Sequence, residues 1–233
     1  MSTGRFATWC VVAALAAAVS PAVLSADGPL DRWAAAVGGR GRLAAIHGIY
    51  REATIDVAGY SGSIKAWHTN DGRYRKEERV ASYAVVETFD GQRGVVSRAG
   101  APPQLLEGAD LARTRSVAFA NWAAVFLAFF PQRVPGTRTV EGEDTIVLHR
   151  EGGIDWRVRL DPATSLPTVM THREGERTVT VTFVKYEKID GLVFEQEIRR
   201  TNGIPMYDAL IRFTKTVVNA PVDAALFRQS PGL

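Results

Sequence analysis

Four tight-turn signals constrain the fold of this chain more strongly than any other feature. They are Asn70-Asp71-Gly72, Asp90-Gly91, Asp190-Gly191 and Asn202-Gly203, and each lies between segments rich in β-forming residues. Asn-Gly and Asp-Gly favour the positive φ angles of two-residue hairpin turns, which connect neighbouring antiparallel strands. The pattern therefore predicts an antiparallel meander and not a parallel α/β sheet, in which helices would separate the strands.

Ten segments have the composition and alternation of strands. They lie at 49–59, 61–69, 72–79, 81–89, 92–98, 154–160, 165–173, 177–188, 191–200 and 205–218. The alternation is cleanest in IDWRVRL, where Ile154, Trp156, Val158 and Leu160 share one face. We expect a mainly β protein with some helices (α+β class), built on a single curved antiparallel sheet of about 10–11 strands.

Helices are predicted at two places. Near the start, PLDRWAAAVGG has Pro29 in its first turn, Asp31 near the positive N-terminal end and glycines at its end, and GRLAAIHG follows as a second short helix. In the middle, a helical insertion is predicted at about 103–131. It divides into QLLEGADLARTRS and SVAFANWAAVFLAFF, which meet at Ser116.

The second of these middle segments, 116–130, is apolar almost throughout. As a helix it would span about 22 Å at about 1.5 Å per residue, which is short for a hydrocarbon layer of about 30 Å. Two interpretations of its burial remain open. The helix either fills the concave side of the sheet as solid core, or leaves a cavity lined by Trp122, Phe126, Phe129 and Phe130.

The first residues have the layout of a secretory signal peptide. Arg5 precedes an apolar run from Phe6 to Val19, and small residues follow Pro21. We place the signal peptide at 1–26, with cleavage after Ser25 or Ala26, and one domain at 27–233. An uncleaved anchor is the alternative, although the run is shorter than the ~20 residues of a spanning helix. The only cysteine, Cys10, lies inside this segment, so the mature chain would have no disulfide.

The remaining sequence offers no recognisable catalytic or metal-binding motif. The charge balance of 28 basic and 25 acidic residues gives a net charge of +3, which is too small to indicate nucleic-acid binding. The four histidines lack metal-ligand spacing, and the common nucleotide and hydrolase motifs are missing, so we predict no enzyme, no metal and no cofactor. The charged stretch GRYRKEERV is expected to be an exposed edge or outer strand, or else a contact for anionic lipid or a partner.

Three phrases in the second half resemble the outer-membrane lipoprotein-sorting proteins, the LolA/LolB-like family. They are LDPATSLPTVM (160–170), TVTVTFVKYEKIDGLVFEQEI (178–198) and VVNAPVDAALFRQSP (217–231). Glu195 stands where the family usually has proline after the Asp-Gly turn. The resemblance implies an incomplete, half-open antiparallel β-barrel with a helical lid or plug, whose concave side holds acyl chains without catalysis.

With this resemblance, the cavity becomes the favoured interpretation of the apolar stretch. We predict an exported, periplasmic, monomeric carrier that binds the acyl chains of a lipid or lipoprotein, with a protein of the inner or outer membrane as a further candidate partner. The alternative is a periplasmic protein-interaction or sensor module without lipid. The candidate ligand-binding residues are Phe119, Trp122, Phe126, Phe129, Phe130, Ile55, Val57, Trp156 and Val158.

Overall fold

The computed structural model describes residues 28–120 and 136–228, with the side chains of 117–120 left out. The expected signal peptide at 1–26 and most of the aromatic stretch therefore lie outside the described residues. Within the described part, every helix falls short of the length and hydropathy that crossing a bilayer requires.

Thirteen strands and three α-helices make up the described chain, together with 3-10 turns at Pro205–Tyr207 and Ala224–Phe227. The helices are α1 (Pro29–Ala36), α2 (Arg40–Ala44) and α3 (Gly108–Ala120). The first six strands are β1 (Gly48–Val57), β2 (Tyr60–Thr69), β3 (Tyr74–Val80), β4 (Tyr83–Phe89), β5 (Gly94–Arg98) and β6 (Gln104–Leu106). The others are β7 (Thr137–Glu141), β8 (Thr145–Arg150), β9 (Trp156–Leu160), β10 (Pro167–Glu174), β11 (Arg177–Ile189), β12 (Leu192–Thr201) and β13 (Ala209–Val218).

All thirteen strands belong to one antiparallel sheet, in the order β6-β5-β4-β3-β2-β1-β13-β12-β11-β10-β9-β8-β7. Strands β1 to β6 form one meander and β7 to β13 another. The pairing of β1 with β13 joins them, with Ile55 opposite Ile211 and Arg51 opposite Thr216. The predicted antiparallel meander is confirmed, and its turns use the expected residues: Asp190 and Gly191 both have positive φ, at 51° and 80°.

The sheet is strongly curved. Strands β3 and β9 are seven steps apart in the sheet order, which would separate them by roughly 34 Å in a flat sheet at about 4.8 Å per step. Yet Tyr74 of β3 and Trp156 of β9 line the same cavity. The sheet therefore bends around a concave face and remains open, because its edge strands are β6 and β7.

Helix α1 covers one end of this concave face. Trp33, Ala34 and Val37 are buried in the main apolar cluster, against strands β8 to β12. The helix ends as predicted at the two glycines: Gly38 and Gly39 have φ values of 129° and 89°. The backbone amide of Val193 donates to the carbonyl of Val37 at 3.0 Å, which attaches this end of α1 to the β11–β12 hairpin.

Three strands were not predicted, which is why the count is thirteen and not ten or eleven. Residues 104–106 form the short edge strand β6, and α3 begins only at Gly108, so the predicted start of a helix at Gln104 is wrong. Helix α3 also continues through Ser116, where a boundary between two helices was expected. Strands β7 and β8 are short, and the Gly142-Glu143-Asp144 segment between them is a weaker turn signal than Asn-Gly or Asp-Gly.

The charged strand β3 does not lie at an edge, contrary to the first expectation for GRYRKEERV. It pairs with β2 on one side and β4 on the other. Its charges neutralise each other along each face: Arg75 pairs with Glu77 at 2.7 Å, and Lys76 pairs with Glu78 at 3.0 Å. Residues two apart on a strand share a face, so this spacing lets a charged strand occupy the interior of a sheet.

Close packing of β2 against β3 requires glycine at position 62. A Cβ atom on Gly62 would lie 2.1 Å from the Arg79 carbonyl oxygen and 2.7 Å from Val80 Cγ2. We expect Gly62→Ala to lower the free energy of unfolding by roughly 1–3 kcal/mol, because the strands must move apart. Urea denaturation would measure the loss.

Gly41→Ala is the matched control, because a Cβ atom at Gly41 in α2 meets nothing within 4 Å. This substitution should leave stability unchanged or raise it by up to about 1 kcal/mol, since alanine favours a helix. A Gly62→Ala protein as stable as the wild type would contradict the proposed packing.

Candidate functional site

A cavity of about 160 Å³ lies on the concave face of the sheet. Strands from both meanders and α3 contribute to its walls. The apolar lining residues are Ile55, Ile64, Ala66, Trp156, Met170, Val179, Val181, Phe183, Ile198, Ile211 and Phe213. The polar lining residues are Arg51, His68, Tyr74, Lys76, Glu78, Arg113, His172, Glu174, Glu195 and Arg200.

Arg51 crosses the join between the two meanders. Its side chain is only 5% exposed, and its guanidinium donates to both the carboxylate and the backbone carbonyl of Glu195. Its Nε donates to Thr216 Oγ1 at 3.1 Å, and its Cζ lies 3.4 Å from the centre of the Phe213 ring. Burial lowers the pKa of Arg51, and the charge of Glu195 opposes that shift. Because the guanidinium of Arg51 is held by hydrogen bonds to Glu195 and Thr216, the Arg51–Glu195 ion pair is a fixed part of the cavity wall.

His68 and Tyr74 face each other across β2 and β3, with ring centroids 5.1 Å apart. Burial, together with the nearby charge of Arg51, holds the pKa of His68 well below its usual value of 6.5. Burial also raises the pKa of Tyr74 well above its usual range. Both side chains are therefore neutral at pH 7.

Helix α3 is attached to the sheet near the cavity by buried polar contacts. Glu87 of β4 accepts hydrogen bonds from Thr114 Oγ1 and from Arg113, the latter at 3.3 Å. Burial alone would raise the pKa of Glu87, but the charges of Arg113 and Lys76 outweigh it and lower the pKa. At the other side, the Ile154 amide donates to Ser116 Oγ at 2.6 Å, which ties α3 to the loop after β8.

Trp156 and His172 form the opposite wall of the cavity. They are paired residues on β9 and β10, with ring centroids 3.8 Å apart. His172 Nε2 lies 3.0 Å from Glu174 Oε1, and this hydrogen bond, more than any other contact, lowers the pKa of Glu174. The contact with Glu174 fixes the orientation of the His172 ring against the indole of Trp156.

The predicted ligand-binding residues fall into three groups. Ile55 and Trp156 line the cavity. Val158 is fully buried in the cluster around α1, and Val57 packs beside Ile55, so both lie on the concave face next to the cavity and not in its lining. The structure describes the backbone of Phe119, in α3, but not its side chain. The other four aromatic residues lie outside the described residues: Trp122, Phe126, Phe129 and Phe130.

Sequence reasoning missed the polar half of the cavity. A signal was present in β1, where Arg51 alternates in phase with Ile49, Ala53 and Ile55, which are all buried. A charged residue at a core position of a strand indicates either a buried ion pair or a site. Nothing local identified its partner, Glu195, which is distant in sequence. No group of His, Cys, Asp and Glu in the described residues has the geometry of a metal site.

Solved structures with similar folds cover most of this chain. A DUF1329 family protein from Desulfovibrio piger aligns with a TM-score of 0.51 at 14% identity, over 86% of this chain and 95% of its own. An outer membrane lipoprotein-sorting protein domain from Vibrio parahaemolyticus aligns with a TM-score of 0.50 at 9% identity, over 86% and 94%. A LolA superfamily protein from Nitrosomonas europaea aligns with a TM-score of 0.52 at 10% identity, over 86% and 96%.

These similarities confirm the expected resemblance at the level of the fold: the chain has a LolA-like fold. No family model and no curated protein matches the sequence. The identities are low, so the function has to be argued from the cavity itself.

The buried His68 makes stability depend on pH in a defined window. Below pH 6.5 the unfolded chain protonates this imidazole while the folded protein does not, because the folded pKa is lowered. Stability should therefore fall as the pH drops from 7.5 to 5.5, by up to about 1.4 kcal/mol per pH unit once the pH is below 6.5. Urea denaturation at both pH values measures the change.

His68→Gln should remove most of this pH dependence. His47→Gln is the matched control, because His47 is exposed. The control protein should keep the wild-type pH dependence. Equal pH dependence in the His68→Gln and wild-type proteins would show that His68 is not held neutral.

Proposed function

We propose that this chain, given its LolA-like fold, is an exported, non-catalytic carrier that holds the acyl chains of a lipid or lipoprotein on the concave face of its half-open sheet. The observation that carries the proposal is the cavity, half of whose wall is a continuous apolar surface. Apolar-lined clefts are the usual binding places for small ligands. In the polar half, most of the charged side chains already form ion pairs with each other, which supports binding more than catalysis.

The apolar wall comes from strands on both sides of the β1–β13 pairing. Ile55 of β1, Ile211 of β13 and Ile198 of β12 lie opposite one another across the sheet, and Ile64 of β2 lies diagonally beside Ile55, opposite Ala53. An acyl chain laid against them would leave water with a gain of about 0.8 kcal/mol per buried CH₂. A carrier that moves lipid through an aqueous compartment needs this surface and no reactive group.

The described cavity is large enough for part of an acyl chain. An apolar cavity of about 150 Å³ holds benzene, so 160 Å³ accommodates a headgroup or the first few carbons. We place the rest of the chain against the segment 116–130, with Phe119, Trp122, Phe126, Phe129 and Phe130 as a further wall. This segment, which the sequence predicts to be helical, would act as a lid over the ligand.

Export and partners follow from the same proposal. The segment 1–26 would direct the chain across the inner membrane and be removed, which would leave a monomeric periplasmic carrier. Such a carrier must receive and deliver its lipid at membranes, so a protein of the inner or outer membrane is a candidate partner.

Filling the cavity should weaken lipid binding without unfolding the protein. Ala66 lines the cavity on β2, whereas Ser63 points to solvent from the same strand. We expect Ala66→Phe to weaken the binding of a fluorescent fatty-acid analogue by about tenfold or more, and Ser63→Phe to leave it unchanged. Overpacking should cost no more than about 1–3 kcal/mol of stability, which thermal unfolding would monitor.

Native mass spectrometry of the mature protein, purified from its own compartment without detergent, tests the proposal directly. A bound mass that organic solvent removes, and that fragments as an acyl lipid, is the expected result. A bare mass that persists after incubation with phospholipid vesicles, together with unchanged probe binding in Ala66→Phe, would refute the carrier role. A stoichiometric protein partner recovered without lipid would instead favour an interaction or sensor module.

A further inference from the structure

Arg150, at the end of β8, is a buried arginine that forms no ion pair with a carboxylate of the described residues. It is only 8% exposed. Its Nη1 donates to the backbone carbonyl of Arg115 at 3.2 Å, and its Nη2 donates to that of Gly91 at 3.4 Å. Its Cζ lies 5.3 Å from the centre of the Phe89 ring. Two carbonyl groups and a ring face offset a full positive charge only in part, whereas buried charges are normally paired.

A second guanidinium lies beside it. Arg115 of α3 donates from Nη1 to the carbonyl of Gly152 at 3.4 Å, in the loop after β8. Glycine is needed there, because a Cβ atom on Gly152 would lie 2.5 Å from Arg115 Nη1. Burial and then the charge of Arg115 lower the pKa of Arg150 to about 10. The two guanidinium groups therefore repel each other, and an anion bound between them would offset that repulsion.

Both arginines line an open depression of about 630 Å³. Its walls come from the β4–β5 turn, from α3 and from the end of β8 with the loop that follows. A third arginine, Arg93, also lines it. The depression shares no lining residue with the cavity on the concave face.

The carboxylates around this depression do not neutralise it. Glu151 lines it, but is exposed and forms no ion pair among the described residues. Asp90, in the β4–β5 turn, accepts hydrogen bonds from two backbone amides of its own turn, at 2.8 and 2.6 Å. With both carboxylates counted against the three arginines, a net charge of +1 remains. The sequence has no acidic residue between Asp110 and Glu141, so α3 supplies no carboxylate beyond its first turn.

Another buried group at the same place lacks a partner. Thr137 of β7 is the cross-strand neighbour of Arg150, so both side chains lie on the same face of the sheet. Thr137 is 8% exposed, and its hydroxyl has no hydrogen-bond partner among the described residues. A guanidinium can only donate, and a hydroxyl can donate, so this end of β8 has more buried donors than acceptors.

We infer that the depression between α3, the β4–β5 turn and the end of β8 binds a phosphate group through Arg115 and Arg150. The planar guanidinium of arginine forms paired hydrogen bonds to phosphate oxygens, and two arginines suit a group with several equivalent oxygens. The phosphate belongs to the headgroup of an anionic phospholipid or to a free phosphate ester, which present the same chemistry. The inference goes beyond the proposed carrier function, because it uses no residue of the acyl-chain cavity.

Two phosphate sources are compared on the mature protein. Inorganic phosphate and glycerol phosphate are titrated by isothermal calorimetry, and vesicles of phosphatidylglycerol or phosphatidylcholine are used for co-sedimentation. We expect saturable binding of a soluble phosphate, or sedimentation with phosphatidylglycerol and not with phosphatidylcholine. The first result identifies a free phosphate as the ligand, and the second without the first identifies a lipid headgroup.

Two variants assign the binding to named groups. Arg115→Gln and Arg150→Met should each weaken it by about tenfold or more, because each removes a charged hydrogen-bond donor. Arg157→Gln is the matched control: Arg157 is exposed on β9, and the substitution removes the same unit of charge. Because Arg115 is only half-buried, Arg115→Gln decides the test if Arg150→Met does not fold.

Three results would overturn the site. The first is wild-type protein that binds neither the soluble phosphates nor phosphatidylglycerol vesicles. The second is unchanged binding in Arg115→Gln. The third is an equal loss in Arg157→Gln, which would show that net charge alone attracts the anion. None of these results affects the carrier function, and Ala66→Phe, which fills the other cavity, should bind phosphate like the wild type.

Discussion

The pairing of the first strand with the last is the contact on which the rest of the structure depends. Strands β1 to β3 and β9 to β13 supply opposite walls of one cavity, and only the β1–β13 ladder places them in the same sheet. The pairing closes almost the whole described chain into a loop, so its entropic cost must be offset by contacts made across the join. Cross-strand apolar contacts such as Ile55 against Ile211 supply part of that offset.

Buried charge is concentrated at the same join. Arg51 of β1 reaches Thr216 of β13 and Glu195 of β12, so one guanidinium connects three adjacent strands. A buried ion pair contributes little net stability, but removing either partner leaves an uncompensated charge, which penalises any other register of these strands. The ladder shifts register between Glu52 and Ala53, directly after Arg51. This shift increases the local bend of the sheet.

Helix α3 connects distant strands of the open sheet, with Glu87 on β4 holding one side and Ser116 the other. The cavity beneath it combines an apolar half, suited to an acyl chain, with a polar half in which most charges are already paired. In the proposed carrier role, this cavity would bind its ligand by burial and by a few hydrogen bonds. Among the described residues, the polar atoms of Tyr74, Trp156 and His172 at this cavity have no hydrogen-bond partner.

The sequence alone determined the antiparallel meander and the helical start, because hairpin turns and strand alternation are local signals. The LolA-like fold followed from the resemblance of three phrases in the second half of the chain to a known family. Alternation in phase with core neighbours also singled out Ile55 and Trp156, which line the cavity, and their contact with a ligand stays a prediction. Only the tertiary structure decided which strands meet across the join, that GRYRKEERV lies inside the sheet, and that Glu195 is the partner of Arg51. These contacts join residues far apart in the chain, so no local pattern encodes them. The edge strands β6 and β7 escaped prediction for a related reason: they are short, and their pairing with β5 and β8, more than their own sequence, holds them extended.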